Sequence, residues 1–177
     1  MGTTVAEIHA KREEITGQGG FFELEDYELD GFVYPVFKHA PKNAIEVIQA
    51  SRNHGDLEFI VYEEERITFN EFFRRVDAFA ASLQGALGVA KGDRVAIAMR
   101  NNPEWAISFV AATLIGAIVV PINSWGKTEE LVYAVTDSRA KILVCDPARL
   151  KLIADELDNL DTTIIVAGTD GAIEPSE

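Results

Sequence analysis

The chain has 177 residues, with 16 Lys and Arg against 29 Asp and Glu, for a formal net charge of −13. A field of that sign repels phosphate backbones and anionic membrane surfaces, which disfavours both as partners. Apolar residues at 47% are enough for one sizeable core and exclude wholesale disorder, and the single cysteine, Cys145, excludes an intrachain disulfide and a cysteine-rich zinc site.

Residues 1–20 read as a flexible or helical lead-in, with one short helix over 5–15 ended by Gly17, Gly19 and Gly20. No signal-like apolar run opens the chain. The longest apolar stretch, 109–122, holds Gly116 and Pro121 and is too short to span a bilayer, so the expected location is cytoplasmic and no transmembrane segment is expected. Residues 21–56 form an arm in which aromatics alternate with acids, as in Phe21-Phe22-Glu23-Leu24-Glu25-Asp26-Tyr27. Within the arm, Pro41 or Asn43 opens a short helix over 44–48.

Residues 57–62 and 66–69 read as the strands of a small hairpin, with Glu63, Glu64 and Glu65 in its turn. Thr68 or Asn70 then caps a helix whose apolar stripe is Phe72, Val76, Phe79 and Leu83, and Thr68 with Glu71 matches the spacing of a capping box. Beyond Gly85 and Gly88 the pattern becomes an alternation. Strands are expected at 94–99, 117–122, 141–145 and 162–166, and helices at 102–115, 127–138 and 147–157. Short runs that are apolar throughout indicate strands covered on both faces, and the alternation indicates a mostly parallel sheet flanked by helices, with 117–122 as a central strand. The α/β portion runs over 57–168, and 169–177 reads as a loop or disordered end.

No complete chemical motif stands out. The stretch Gly85-Ala86-Leu87-Gly88-Val89-Ala90-Lys91-Gly92-Asp93 fails both Gly-rich phosphate motifs and precedes a strand, so it reads as a helix end and a turn. Ser124 lacks the flanking glycines of a nucleophile elbow. Cys145 reads as a buried structural thiol, and Asp146 before Pro147 as a helix cap. His9, His39 and His54 form no metal-binding spacing, and no catalytic or metal-ligating residue is assigned. Arg100, Asn123 and Trp125 follow predicted strands, and strand ends are where open α/β sheets collect ligands. Trp125 also fits plain loop packing, and the run from Arg100 to Pro103 fits a cap and turn.

The order of several segments adds to this. Ile67-Thr68-Phe69-Asn70-Glu71-Phe72 opens a helix. Lys91-Gly92-Asp93-Arg94-Val95-Ala96-Ile97-Ala98-Met99-Arg100-Asn101 follows, then Pro103-Glu104-Trp105, then Gly116-Ala117-Ile118-Val119-Val120-Pro121-Ile122-Asn123. Taken in that order, they resemble the N-terminal region of AMP-forming acyl-CoA synthetases, in the adenylate-forming enzyme superfamily. Tyr34-Pro35-Val36-Phe37-Lys38-His39-Ala40-Pro41 is similar to the opening segment of fatty-acyl and related acyl-CoA ligases. The resemblance implies a parent enzyme that uses ATP, Mg²⁺ and coenzyme A to convert a carboxylic acid to an acyl-adenylate and then to an acyl-CoA.

The resemblance also implies that the chain is a partial N-terminal domain. The family's Ser/Thr/Gly-rich phosphate loop ending in Pro-Lys-Gly does not occur in the sequence. Nor do the aromatic-Thr-Glu segment, the ribose-binding Asp segment or the small C-terminal domain with its Lys. The expected partners are the rest of the N-terminal domain and that C-terminal domain, and a homo-oligomer is compatible with the resemblance. No cofactor is expected to bind productively to these residues alone, and the chain alone is expected to be inactive. Asn123 and Trp125 fall in a matching segment as substrate-side or structural residues. The alternative is a stand-alone, non-catalytic α/β binding or interaction domain.

Overall fold

The structure, a computed structural model, describes residues 4–169 and 172–175. The chain divides into two compact units, Met1–Glu46 and Val47–Glu177.

In the first unit, α1 (Val5–Thr16) is held by its cap and not by burial. Thr4 Oγ1 accepts the Glu7 N–H, the Glu7 carboxylate accepts the Thr4 N–H at 2.7 Å, and no residue of the helix is buried. Strands β1 (Leu24–Leu29) and β2 (Phe32–Phe37) form an antiparallel hairpin where the sequence reading placed only an arm. Its two-residue turn needs positive φ twice, which Asp30 (52°) and Gly31 (80°) supply. The register pairs Tyr27 with Tyr34 and Asp26 with Pro35, and the Lys38 N–H reaches the Glu23 carbonyl at 2.9 Å one step beyond the strands. The first turn of helix α2 (Ala44–Ala50) is capped by Asn43, whose Oδ1 accepts the Glu46 N–H at 3.0 Å.

In the second unit a 3-10 turn at Ser51–His54 precedes the expected hairpin, β3 (Glu58–Tyr62) and β4 (Glu65–Thr68), which turns on Glu63 and Glu64. Glu65 belongs to the strand and not to the turn. Thr68 caps α3 (Phe69–Gly85) by accepting the Glu71 N–H, and the helix buries Phe72, Phe73, Val76, Phe79 and Leu83. The other half of the expected capping box is missing because the Glu71 carboxylate is held elsewhere, by Arg74 Nε and Arg75 Nε at 2.7 Å each. The Arg74 and Arg75 guanidiniums hold that carboxyl down at about 2, against an ordinary 4.5. Because the folded value is the depressed one, this stabilisation is complete above about pH 4.5 and is lost as pH falls toward 2. Glu71→Gln is therefore expected to flatten the acid limb of urea-midpoint against pH between those values. Parallel acid limbs for the two proteins would contradict the assignment.

Alternation then builds the sheet. Its strands are β5 (Arg94–Ala98), β6 (Ile118–Pro121), β7 (Ile142–Cys145), β8 (Thr163–Thr169) and β9 (Ala172–Pro175). Its helices are α4 (Pro103–Leu114), α5 (Thr128–Ser138) and α6 (Pro147–Leu152), and a 3-10 turn at Ala154–Asn159 ends what the sequence pattern read as one longer helix. The order is β6-β5-β7-β8-β9, with the first four strands parallel and β9 antiparallel to β8. Strand β9 lies in the stretch that read as loop. Residues 1–3, 170–171 and 176–177 lie outside the described residues.

Successive side chains leave opposite faces of a strand. Val95, Ile97, Ile142, Val144 and Ile165 pack with Phe72, Val76, Phe79, Leu83 and Ile107 in one core. Ala96, Ala98, Leu143, Cys145 and Ile164 pack with Leu131, Val135 and Ile153 in the other. Both faces of β5 and β7 are covered, which is why those strands are apolar throughout. The position of β6 differs from the expectation. Among the described residues it pairs only with β5, so it is an edge strand, and Ile118 is 53% exposed. An apolar run records what covers the faces of a strand and carries no record of what lies beside it. Among the described residues, no helix is long and apolar enough to cross a membrane.

Candidate functional site

Because β5, β6 and β7 are parallel, their carboxyl ends meet at one edge of the sheet, where ligands gather in open α/β folds. Arg100 follows β5, the loop from Asn123 to Trp125 follows β6, and Asp146 follows β7. All three sequence-predicted candidates therefore lie at this edge.

Asp146 anchors it. Its carboxylate caps α6 by accepting the Arg149 N–H at 2.9 Å, and it accepts the Arg100 N–H at 3.1 Å, which ties β7 to the end of β5. The Arg149 guanidinium returns to the same carboxylate through Nη1 at 3.1 Å. Its other side donates to the Ser124 carbonyl, from Nε at 2.9 Å and also from Nη2. Asp146 and Arg149 are both buried, so this is a desolvated ion pair, and each member also holds backbone: the carboxylate accepts two N–H groups and the guanidinium donates to a carbonyl. One carboxylate and one guanidinium thus join three strand ends.

Above this buried layer the surface is open. Asn123 Oδ1 accepts the Trp125 N–H at 3.1 Å, so the side chain of Asn123 is folded into its own loop. Trp125 is 76% exposed, and the Arg100 guanidinium lies over its ring, 3.2 Å from the centroid. Among the described residues no carboxylate pairs with the Arg100 side chain, so its N–H groups face solvent while the aromatic face holds it in place. A fixed guanidinium with free donors beside an exposed indole can hold an anionic or planar group.

The other polar residues considered from sequence go elsewhere. Cys145 is fully buried, and burial, with Asp146 adding to it, pushes its thiol up to about 12, which removes it as a nucleophile at neutral pH. Ser124 contributes its carbonyl. Asp56 accepts from Asn70 Nδ2 at 2.7 Å, and His54 packs on the Phe69 ring. His39 lies in the first unit, 3.8 Å from Glu23. The glycine-rich stretch after α3 is a turn in which Asp93 accepts the Ala90 N–H and pairs with Lys141. An open groove of about 800 Å³ lies on the α3 and α4 side, floored by Phe79, Leu87, Ile107 and Ile165, with the Glu65–Arg75 pair at its rim. Arg149 was missed from sequence, where it reads as an ordinary basic residue in a first helical turn.

Among the described residues no group of three or more His, Cys, Asp and Glu side chains could hold a metal ion.

Comparison with known proteins places this architecture. The chain is 28% identical over 118 residues to 4-hydroxybutyrate–CoA ligase 2 of Metallosphaera sedula, an alignment covering 67% of this chain and 21% of that protein. It is 41% identical over 64 residues to the long-chain-fatty-acid–CoA ligase FadD13 of Mycobacterium tuberculosis, covering 36% and 13%. The chain therefore spans only about a fifth or less of the length of these relatives. The anthranilate CoA ligase AuaEII, solved in complex with anthranoyl-AMP, superposes with a TM-score of 0.68 at 28% identity over 76% of this chain and 26% of that one. ATP-bound MatB from Rhodopseudomonas palustris gives 0.54 at 30% identity over 62% and 22%. The family model for AMP-binding enzymes matches residues 47–176, nearly the whole second unit, and on that match the chain belongs to the AMP-binding enzyme family of adenylate-forming ligases.

Proposed function

We propose that the chain is the N-terminal portion of an ATP-dependent, AMP-forming carboxylic acid–CoA ligase of the fatty-acyl or a related acyl type. The observation that carries the reading is the AMP-binding match over 47–176 in a sequence that holds no Ser/Thr/Gly-rich loop ending in Pro-Lys-Gly. The acyl preference is supported by the fatty-acid ligases among the relatives. In such an enzyme ATP supplies the leaving group: the carboxylate oxygen attacks the α-phosphorus, pyrophosphate departs, and the thiol of coenzyme A then displaces AMP from the acyl carbon.

What these residues contribute is a wall and a surface. The sheet with its two helical layers holds the carboxyl edge rigid. At that edge Asn123 and Trp125 form the substrate-side surface, with Arg100 offering donors to an anionic group. The phosphate-binding loop and the metal site belong to the rest of the N-terminal domain and to the small C-terminal domain, which are the partners this reading requires. A cytoplasmic location and self-association of the whole enzyme belong to the same reading.

The test is the complete open reading frame and its product. The expected continuation contains the phosphate loop and a C-terminal lysine region, and the full product exchanges pyrophosphate into ATP only when a carboxylic acid is present. The purified 177-residue chain is expected to show no such exchange. A genuine stop codon directly after Glu177 would overturn the ligase reading and favour a stand-alone interaction domain. Acid-dependent exchange by the 177 residues alone would overturn the assignment of the phosphate chemistry to other segments.

A further inference from the structure

The contacts at the strand ends close into a ring. Asp146 holds the Arg149 guanidinium, Arg149 holds the Ser124 carbonyl, the next residue is Trp125, Trp125 lies under Arg100, and the Arg100 N–H returns to Asp146. The buried half of this ring is rigid, because Arg149 is enclosed and makes paired contacts on both sides of its planar group. The outer half is a mostly exposed indole and an exposed arginine side chain, and such side chains have no conformation of their own to keep. Apart from the Trp125 N–H to Asn123 within the loop and the stacked Arg100, the side-chain contact that fixes this turn to the rest of the sheet is the one from Arg149 to Ser124.

We propose that Arg149 is a positioning residue: buried beneath the strand ends, it fixes the backbone at Ser124 and thereby sets the orientation of Trp125 under Arg100. It touches no solvent-facing group itself. The role demands a guanidinium. Its two faces of donors, at a fixed angle, bridge a carboxylate and a carbonyl at once, which an ammonium on a flexible stem does less well. The significance of the device for binding rests on the reading of Asn123 and Trp125 as substrate-side residues. The positioning itself does not, and it is measured without any ligand.

The chain has two tryptophans, so Trp105→Phe leaves Trp125 as the sole indole reporter. An indole locked against a guanidinium gives a near-ultraviolet circular dichroism band and a high fluorescence anisotropy. In that background Arg100→Ala is expected to abolish the band. Arg149→Met, which keeps the length of the stem and removes every donor, is expected to remove more than about half of it. Arg149→Lys, which keeps the cation beside Asp146, is expected to fall between Arg149→Met and the parent.

An Arg149→Met protein with native far-ultraviolet dichroism and an unchanged Trp125 band would overturn the proposal. Should that variant fail to fold, an unchanged band in folded Arg149→Lys does the same. Exchange of the Trp125 amide at the rate of an unstructured peptide in the parent protein would also do so. If the Trp125 signal follows Arg149 but the open reading frame proves to end at Glu177, the positioning stands and the ligase reading falls.

Discussion

Replacing Asp146 with alanine is expected to destabilise the chain by about 3–5 kcal/mol, the usual cost of leaving one member of a buried ion pair unpaired. The Arg149 guanidinium would remain enclosed with only the Ser124 carbonyl for a partner. Two further losses occur at the same site. The first turn of α6 loses its cap, typically about 1 kcal/mol, and the Arg100 N–H loses its acceptor. These terms share one carboxylate and do not add independently. Urea denaturation followed by far-ultraviolet dichroism measures the sum. The decisive comparison is the double variant Asp146→Ala with Arg149→Met, which is expected to recover much of the loss because no buried charge is left without a partner. Equal destabilisation by the single and double variants would mean that the cap, and not the charge, dominates.

Ile97→Ala is the second large effect, expected at about 2–5 kcal/mol from lost burial and the cavity left behind. Ile97 is fully buried in β5, with β6 on one side and β7 on the other, and it faces the core built with α3 and α4. The control is Ile118→Ala in β6, expected within about 1 kcal/mol because that side chain is already more than half in water. Denaturant midpoints at constant slope would check both. If the two variants lose similar stability, the face of β6 that carries Ile118 is covered as that of Ile97 is, and the exposure assigned to it is wrong.

The contrast between these isoleucines shows what was legible in the sequence. Periodicity and turn residues located the four parallel strands and the helices between them, though not β9, because covering both faces of β5 and β7 demands apolar residues at every position. The same logic failed for strand order: 117–122 is as apolar as its neighbours, yet it lies at an edge. The first hairpin was obscured by composition. Asp30-Gly31 is a strong turn signal, but the acids at Glu25, Asp26 and Glu28 broke the alternation that marks a strand with one buried face.

At the candidate site, the cap at Asp146 and the strand-end placement of Arg100, Asn123 and Trp125 followed from local rules. Arg149 could not be found that way. One partner is three residues away and the other is a backbone carbonyl 25 residues away, and a carbonyl has no identity in a sequence.

Strand β2 reads Phe-Val-Tyr-Pro-Val-Phe, six residues without a charge, and its outer side is unpaired among the described residues. Such a segment is the usual template for fibril growth. In this hairpin the hydrogen-bonded pairs alternate inward from Glu23–Lys38, so Asp26–Pro35 falls on a non-bonded pair and the nitrogen of Pro35 faces outward. Proline carries no N–H to offer there. The middle rung of an otherwise adhesive edge is missing, and a second strand laid along β2 would find its ladder interrupted at the centre. Where the rings of a hairpin lie open to water, a proline on the unpaired edge is a device that opposes the addition of a further strand.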